Sequence, residues 1–135
     1  MTEPALTANG DKVLNGSGIF SLAELLEAVA KHYGKRIFVY FIGTLAPDGS
    51  QWCPDCRAAD DVVKSALSEL PSNGVFLTVQ VGDRPTWKDQ GNPFRHNKAC
   101  AVSSIPTLTE FGSDCRLSDE DMKNRTLIVK LFKGE

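Results

Sequence analysis

A chain of 135 residues is long enough to bury a core without disulfide staples, and a single domain over residues 1–135 is expected. Its composition, 41% hydrophobic and 24% charged, excludes disorder. The net charge of −2 gives no electrostatic case for nucleic acid or an anionic membrane as a partner.

Residues 1–18 read as a loosely ordered lead-in rich in Asn and Gly, with Val13 and Leu14 at most a short edge strand. Met1 to Lys12 shows no apolar stretch after a basic start, and no run reaches membrane-spanning length, so the cytosol is the expected location. A permanent structural disulfide is out of place there. The four cysteines therefore point to redox chemistry, metal binding or burial.

Ser21 and Glu24 fit a capping box, and Leu22, Leu25, Leu26, Val29 and Tyr33 recur at helical spacing up to Gly34. Ile37–Ile42 is continuously apolar, the pattern of a central strand buried on both faces. Thr44–Gln51 is a polar loop, and Pro54 opens a second helix, since proline is favoured where its missing N–H costs nothing. Its apolar side runs through Ala59, Val62, Val63, Ala66, Leu67 and Leu70.

Val75–Val81 is a further strand, and residues 82–97 are irregular with room for a short helical turn. Thr107–Phe111 and Asp114–Leu117 form a strand pair around Gly112. The last helix is expected to start at Ser118, with acids first and Lys130 and Lys133 last, as suits the helix dipole. This order predicts an α/β fold with a mixed central sheet and helices on both faces.

The chemistry concentrates at Cys53-Pro54-Asp55-Cys56, where a buried strand passes through a loop into a helix. A C-x-x-C at a helix start, inside a βαβ pattern, is the context of a thioredoxin-like redox motif. One turn of helix brings the sulfurs within disulfide reach and is expected to leave only Cys53 facing solvent. At the N-cap, the free N–H groups and the dipole favour a Cys53 thiolate. A fall in pKa from about 8.5 to about 7 raises the thiolate fraction at neutral pH roughly fifteen-fold. Nucleophilicity drops by roughly five-fold, so the attack still gains. Cys53 is the expected nucleophile and Cys56 the resolving residue, with no cofactor beyond their own disulfide and no metal.

A zinc site is the competing reading of C-x-x-C, but Cys100 and Cys115 are too far apart to supply a second close pair. Both are read as inert, buried cysteines. For His32 and His96 the sequence offers no obvious orienting partner, and both are read as solvated. Trp52 is assigned to the docking surface, because interface anchors are enriched in tryptophan. Trp87 divides between packing and a substrate-facing role. The Ile105–Pro106 bond is expected to be cis and to face the redox pair, leaving the Ile105 backbone free to pair with an extended substrate.

Trp52-Cys53-Pro54-Asp55-Cys56 resembles the W-C-P-D-C motif of the family of thioredoxin-related proteins of 14 kDa (thioredoxin-domain-containing protein 17). Val81-Gly82, Pro85, Trp87-Lys88-Asp89, Phe94-Arg95 and Asn97 resemble that family's segment after the third strand. Ile105-Pro106-Thr107-Leu108 resembles the thioredoxin cis-proline loop. Similarity runs from about Phe20 to the C-terminus. It implies the thioredoxin fold and a cytosolic disulfide reductase that is re-reduced by thioredoxin reductase. It also implies a narrow substrate range that includes small disulfides such as cystine.

Pro54 and Asp55 are expected to tune the pair, with Asp55 the nearest proton acceptor for Cys56 and a source of repulsion against a Cys53 thiolate and acidic substrates. The Thr44–Gln51 loop is expected to stand beside Cys53 and narrow the approach. A monomer is expected. A redox-sensitive protein-binding module of the same fold is the alternative to a reductase.

Overall fold

The computed structural model describes residues 5–7 and 18–134. Among them a five-stranded mixed sheet has the order β1-β3-β2-β4-β5. Its strands are β1 (Ala5–Thr7), β2 (Arg36–Ile42), β3 (Gly74–Gln80), β4 (Thr107–Glu110) and β5 (Arg116–Ser118). β2 runs parallel to β3, from Arg36 opposite Gly74 to Ile42 opposite Gln80. On its other edge it is antiparallel to β4, pairing Phe38 with Glu110 and Phe41 with Thr107. A strand hydrogen-bonded on both sides and covered on both faces must be apolar throughout, and six of its seven residues are buried.

The helices are α1 (Leu22–Lys31), α2 (Pro54–Ala66), α3 (Arg84–Lys88), α4 (Pro93–His96) and α5 (Arg125–Lys133). Successive strand residues point to opposite faces. Phe38 therefore packs edge-on against Phe132 of α5, while Phe41 meets Phe94 of α4 on the other side. α2 packs on α5 and buries Cys56, Ala59, Val63 and Ala66. Arg36 ties the end of α5 to the sheet. Its guanidinium holds both Glu110 oxygens at 2.9 and 3.0 Å and donates to the carbonyls of Phe132 and Leu131. Those carbonyls lie in the last turn of the helix, and that of Leu131 also accepts from the Gly134 N–H at 3.2 Å.

The α1 start is as expected: the Ser21 hydroxyl accepts from the Glu24 N–H, and Glu24 accepts from the Phe20 N–H. Three features differ. Residues 5–7, inside the expected lead-in, pair antiparallel with β3, and a three-residue strand is too short to show a period. Val13 and Leu14 lie outside the described residues. Ser118 caps a 3-10 turn, Asp119–Lys123, rather than the last helix. Asn124 is extended and its side chain accepts from the Leu127 N–H, so the α-helix restarts there. The irregular stretch holds two short helices, each opened by a capping Asp83 or Asn92 and a proline.

Gly43 follows β2 and sits beneath the redox motif. A Cβ there would come within 2.7 Å of the Trp52 indole and 2.5 Å of the Gln51 side-chain oxygen. Gly43→Ala should therefore displace Trp52 and cost about 1–3 kcal/mol, the range for overpacking. Urea unfolding followed by tryptophan emission checks this; unchanged stability and emission would show that the indole gives way freely.

Candidate active site

β2 delivers the chain into the loop of residues 43–51, and Cys53 ends that loop as the N-cap of α2. Its sulfur accepts the Cys56 N–H at 3.2 Å, and its carbonyl accepts from Arg57 at 3.0 Å. The Cys53 N–H in turn donates to the Gln51 side chain at 3.1 Å, while that side chain donates to the Gly43 carbonyl at 2.8 Å. Pro54 holds the first helical position, where no N–H is required.

The cysteines are held in opposite states. The Cys56 thiol, donating to the Cys53 sulfur, and the Cys56 backbone N–H bring the Cys53 pKa down to about 7, against burial and repulsion from Asp55. That hydrogen bond and burial push Cys56 up. The backbone N–H groups act in the direction expected of a helix start, although the hydrogen bond from the Cys56 thiol leads the causes.

Exposure does not separate the two. Cys53 is 4% exposed and Cys56 2%, so Cys53 does not stand out into solvent as expected. Their surroundings differ instead. Cys53 lines a groove of about 240 Å³, shared with Trp52, Pro54, Asp55, Trp87 and Ile105. Cys56 opens on a separate cavity of about 600 Å³. A cap position buries the sulfur against its own helix, so the groove, rather than protrusion, gives access.

The Ile105–Pro106 bond is cis. The Ile105 carbonyl oxygen lies 4.0 Å from the Cys53 sulfur, with Pro106 buried behind it. Trp52 is half-buried, its indole N–H donating to the Gly82 carbonyl at 3.2 Å. Trp87 is buried and also lines the groove, so it both packs and borders the approach.

The Thr44–Gln51 loop stands elsewhere than expected. Leu45, Gly49, Ser50 and Gln51 line the Cys56 cavity, and no residue of the loop lines the Cys53 groove. Hydrogen bonds explain its path: Thr44 exchanges bonds with Gly82 at 2.9 and 2.8 Å, and the Leu45 N–H donates to Gln80 at 2.9 Å. These bonds tie the loop to the end of β3.

Asp55 does not reach Cys56 as an acceptor; its carboxylate takes the Lys123 ammonium at 3.3 Å, and Lys123 also binds Glu120. The charge balance of the groove is likewise reversed. Asp55 is its one lining carboxylate, against Arg84, Lys88 and Arg95. Arg84 lies 5.6 Å from the Trp52 ring centre and Arg95 3.9 Å from that of Trp87. Among the described residues, none of the three has an acidic partner at ion-pair distance. These cations sit among residues with no regular period, so their convergence is visible only in three dimensions.

Cys100 is buried, with its pKa pushed by burial to about 11. Cys115, expected to be buried, is exposed on the turn before β5. Neither lines the Cys53 groove or the Cys56 cavity, and neither do His32 and His96. No cluster of three or more His, Cys, Asp or Glu among the described residues could hold a metal. No helix among them is long and apolar enough to cross a membrane.

Residues 18–134 match the family described as thioredoxin domain-containing protein 17-like, thioredoxin domain. Thioredoxin domain-containing protein 17 of Danio rerio is 40% identical, over 81% of this chain and 87% of its own. The Homo sapiens protein of that name is 39% identical, over 83% and 89%. The thioredoxin-like protein Clot of Arabidopsis thaliana is 31% identical, over 87% and 91%. The crystal structure of the germline-specific thioredoxin Deadhead of Drosophila melanogaster superposes with a TM-score of 0.51 at 18% identity, covering 85% of this chain and 98% of that one. That likeness identifies the thioredoxin fold.

The Asp55–Lys123 pair makes Cys53 ionisation testable. Alkylation of Cys53 by iodoacetamide, followed by peptide mass spectrometry, should rise with pH through a midpoint near 7. Asp55→Asn removes a repulsion and should lower that midpoint. Lys123→Gln strips Asp55 of its counter-charge and should raise it. Midpoints that stay put in both variants would remove Asp55 from the tuning of the pair.

Proposed function

The chain belongs to the thioredoxin domain-containing protein 17-like family, and we propose that it is a thiol–disulfide oxidoreductase that reduces selected disulfides through Cys53 and Cys56. The observation that carries this reading is the Cys53 sulfur capping α2, 3.2 Å from the Cys56 N–H and in the wall of a groove, and the two sulfurs are driven to opposed ionisation. One is favoured as thiolate, and the other is kept protonated by its bond to the first. The Cys53 thiolate attacks a substrate sulfur, giving a mixed disulfide and releasing the first substrate thiolate. Cys56 then attacks Cys53, forming the Cys53–Cys56 bond as the second substrate thiolate leaves. The electrons come from the dithiol, and thioredoxin reductase is the proposed source of its re-reduction in the cytosol.

Turnover with NADPH and thioredoxin reductase separates this from a redox-sensitive binding module, which would bind partners without catalysis. Cys53→Ser should abolish turnover, and Cys56→Ser should accumulate a mixed disulfide on Cys53. An adduct on Cys56 instead, or no turnover by the unaltered protein, would reject the assignment.

Selectivity follows from the groove rather than from the Thr44–Gln51 loop. A cysteine only 4% exposed admits a small disulfide such as cystine, or an extended segment lying along Ile105, more readily than a bulky protein surface. The unpaired cations of Arg84 and Lys88 favour carboxylates beside the disulfide. The expectation from Asp55 alone was the reverse, and Lys123 partly compensates that charge. Disulfide-linked peptides with the cysteine flanked by Glu, Gln or Lys should react in that order at low salt, and the spread should shrink in 0.5 M salt, where the screening length is only ~4 Å. Equal rates for Glu and Lys peptides would remove charge from the specificity. Insulin reduced as fast as by ordinary thioredoxin would remove the selectivity itself.

A further inference from the structure

The resolving step requires a proton to leave Cys56, and Asp55 is turned toward Lys123. The Cys56 side of the motif faces a cavity of about 600 Å³ with Asp60 and Tyr40 in its lining. Asp60 follows Cys56 by one helical turn, a spacing that puts side chains on one face with Cβ atoms about 5–6 Å apart. Tyr40 is wholly buried, and its hydroxyl has no hydrogen-bond partner. Its ionisation is opposed by burial first, then by the charges of Asp60 and Cys56, which places it in the field of both. A hydroxyl accepts one proton while donating another. A cavity of this size, with polar groups set in a largely apolar wall, also has room for bridging water.

We propose that Asp60 is the proton acceptor for Cys56 in the resolving step, reached through the Tyr40 hydroxyl and the cavity. The proposal rests on the reductase reading. The proton passes from Cys56 to the Asp60 carboxylate, and the Cys56 thiolate attacks Cys53. The Cys53–substrate bond breaks with its electron pair on the substrate sulfur, which takes a proton from solvent. Asp60 returns its proton to solvent through the cavity mouth.

Other charged groups at the cavity are Arg57, Asp61 and Lys64, all on α2, with the Cys53 thiolate beyond Cys56. The loop of residues 45–51 adds no ionisable lining. Arg57 is held by the Gln51 carbonyl, whereas Lys64 competes directly for Asp60, pairing with its carboxylate at 2.9 Å. Asp60 thus takes the proton by way of Tyr40, and Lys64 moderates its basicity.

Acid quenching after mixing the reduced protein with a symmetrical disulfide of a cysteine hexapeptide, with mass spectrometry of the Cys53 adduct, follows the resolving step directly. Asp60→Asn should slow decay of the adduct about a hundred-fold near pH 7, the lower end of the range of general-base assistance. The deficit should narrow as pH rises, because base in solution takes over removal of the proton from a thiol that burial keeps protonated. Asp60→Glu should restore most of the rate, Tyr40→Phe should slow it, and Lys64→Gln should quicken it by freeing the carboxylate. Damage to the helix alone cannot produce a faster Lys64→Gln. Decay in Asp60→Asn as fast as in the unaltered protein, or a deficit of equal size at every pH, would overturn the proposal. A Cys56→Ser protein that forms no adduct would instead overturn the reductase reading on which it stands.

Discussion

The sulfur of Cys53 closes the N-terminus of α2, and most of the site is arranged to hold it there. A helix start leaves N–H groups without intrahelical partners. Here one of them, on Cys56, is satisfied by a thiolate-forming sulfur 3.2 Å away, so the need that caps the helix also acidifies the thiol. The cap can be held only if the chain arrives at a fixed angle. β2 fixes it from a wholly hydrogen-bonded central position, Gln51 fastens the Cys53 amide, and Pro54 forgoes a donor that would compete. Gly43 permits the indole of Trp52 to lie where a Cβ would otherwise stand.

Holding the first sulfur in a cap has a second consequence, because the other sulfur is then carried one turn along the same helix. The two meet each other but face different spaces, Cys53 the substrate groove and Cys56 the cavity behind it. In the proposed reaction the chemistry divides along the same line. Attack by Cys53 would take place in the groove, with its cations, aromatic rings and the Ile105 backbone. Resolution would need only loss of a proton from Cys56, on the cavity side. The opposed directions of the two pKa values come from one shared hydrogen bond.

Much of this was legible in the sequence because it depends on local rules. The run Ile37–Ile42 named the central strand, Ser21 with Glu24 named a helix start, and C-x-x-C after a strand named the motif. The cis bond before Pro106 was also legible, through the resemblance of its loop. What was not legible depends on where distant segments come to rest. The Thr44–Gln51 loop was assigned to Cys53 by adjacency in the chain, whereas its bonds to Gln80 and Gly82 carry it to the Cys56 side. Lys123, 68 residues from Asp55, could not be foreseen as its partner, nor could Arg84, Lys88 and Arg95 as one wall of a groove. Asp60 is the exception, since its spacing of four from Cys56 was visible but had no meaning until the cavity was.

Tyr40 shows how the packing of the sheet and the chemistry of the pair meet in one residue. It occupies a position that is otherwise purely apolar, its ring 5.7 Å from that of Phe76, and phenylalanine would satisfy the packing as well. The hydroxyl adds a buried polar group without a protein partner, a burden of about 1–3 kcal/mol when nothing offsets it. A void lined wholly by hydrocarbon would offer no offset. This cavity is lined by a thiol, the carboxylates of Asp60 and Asp61 and polar loop atoms as well as by Ile42 and Leu45, so titratable groups share the wall with Tyr40. The same alternation of strand residues that points Phe41 toward α4 points Tyr40 toward α2. A residue at this place on β2 is therefore directed at the buried side of the redox pair by the sheet itself, and whether it is polar decides what that side can do.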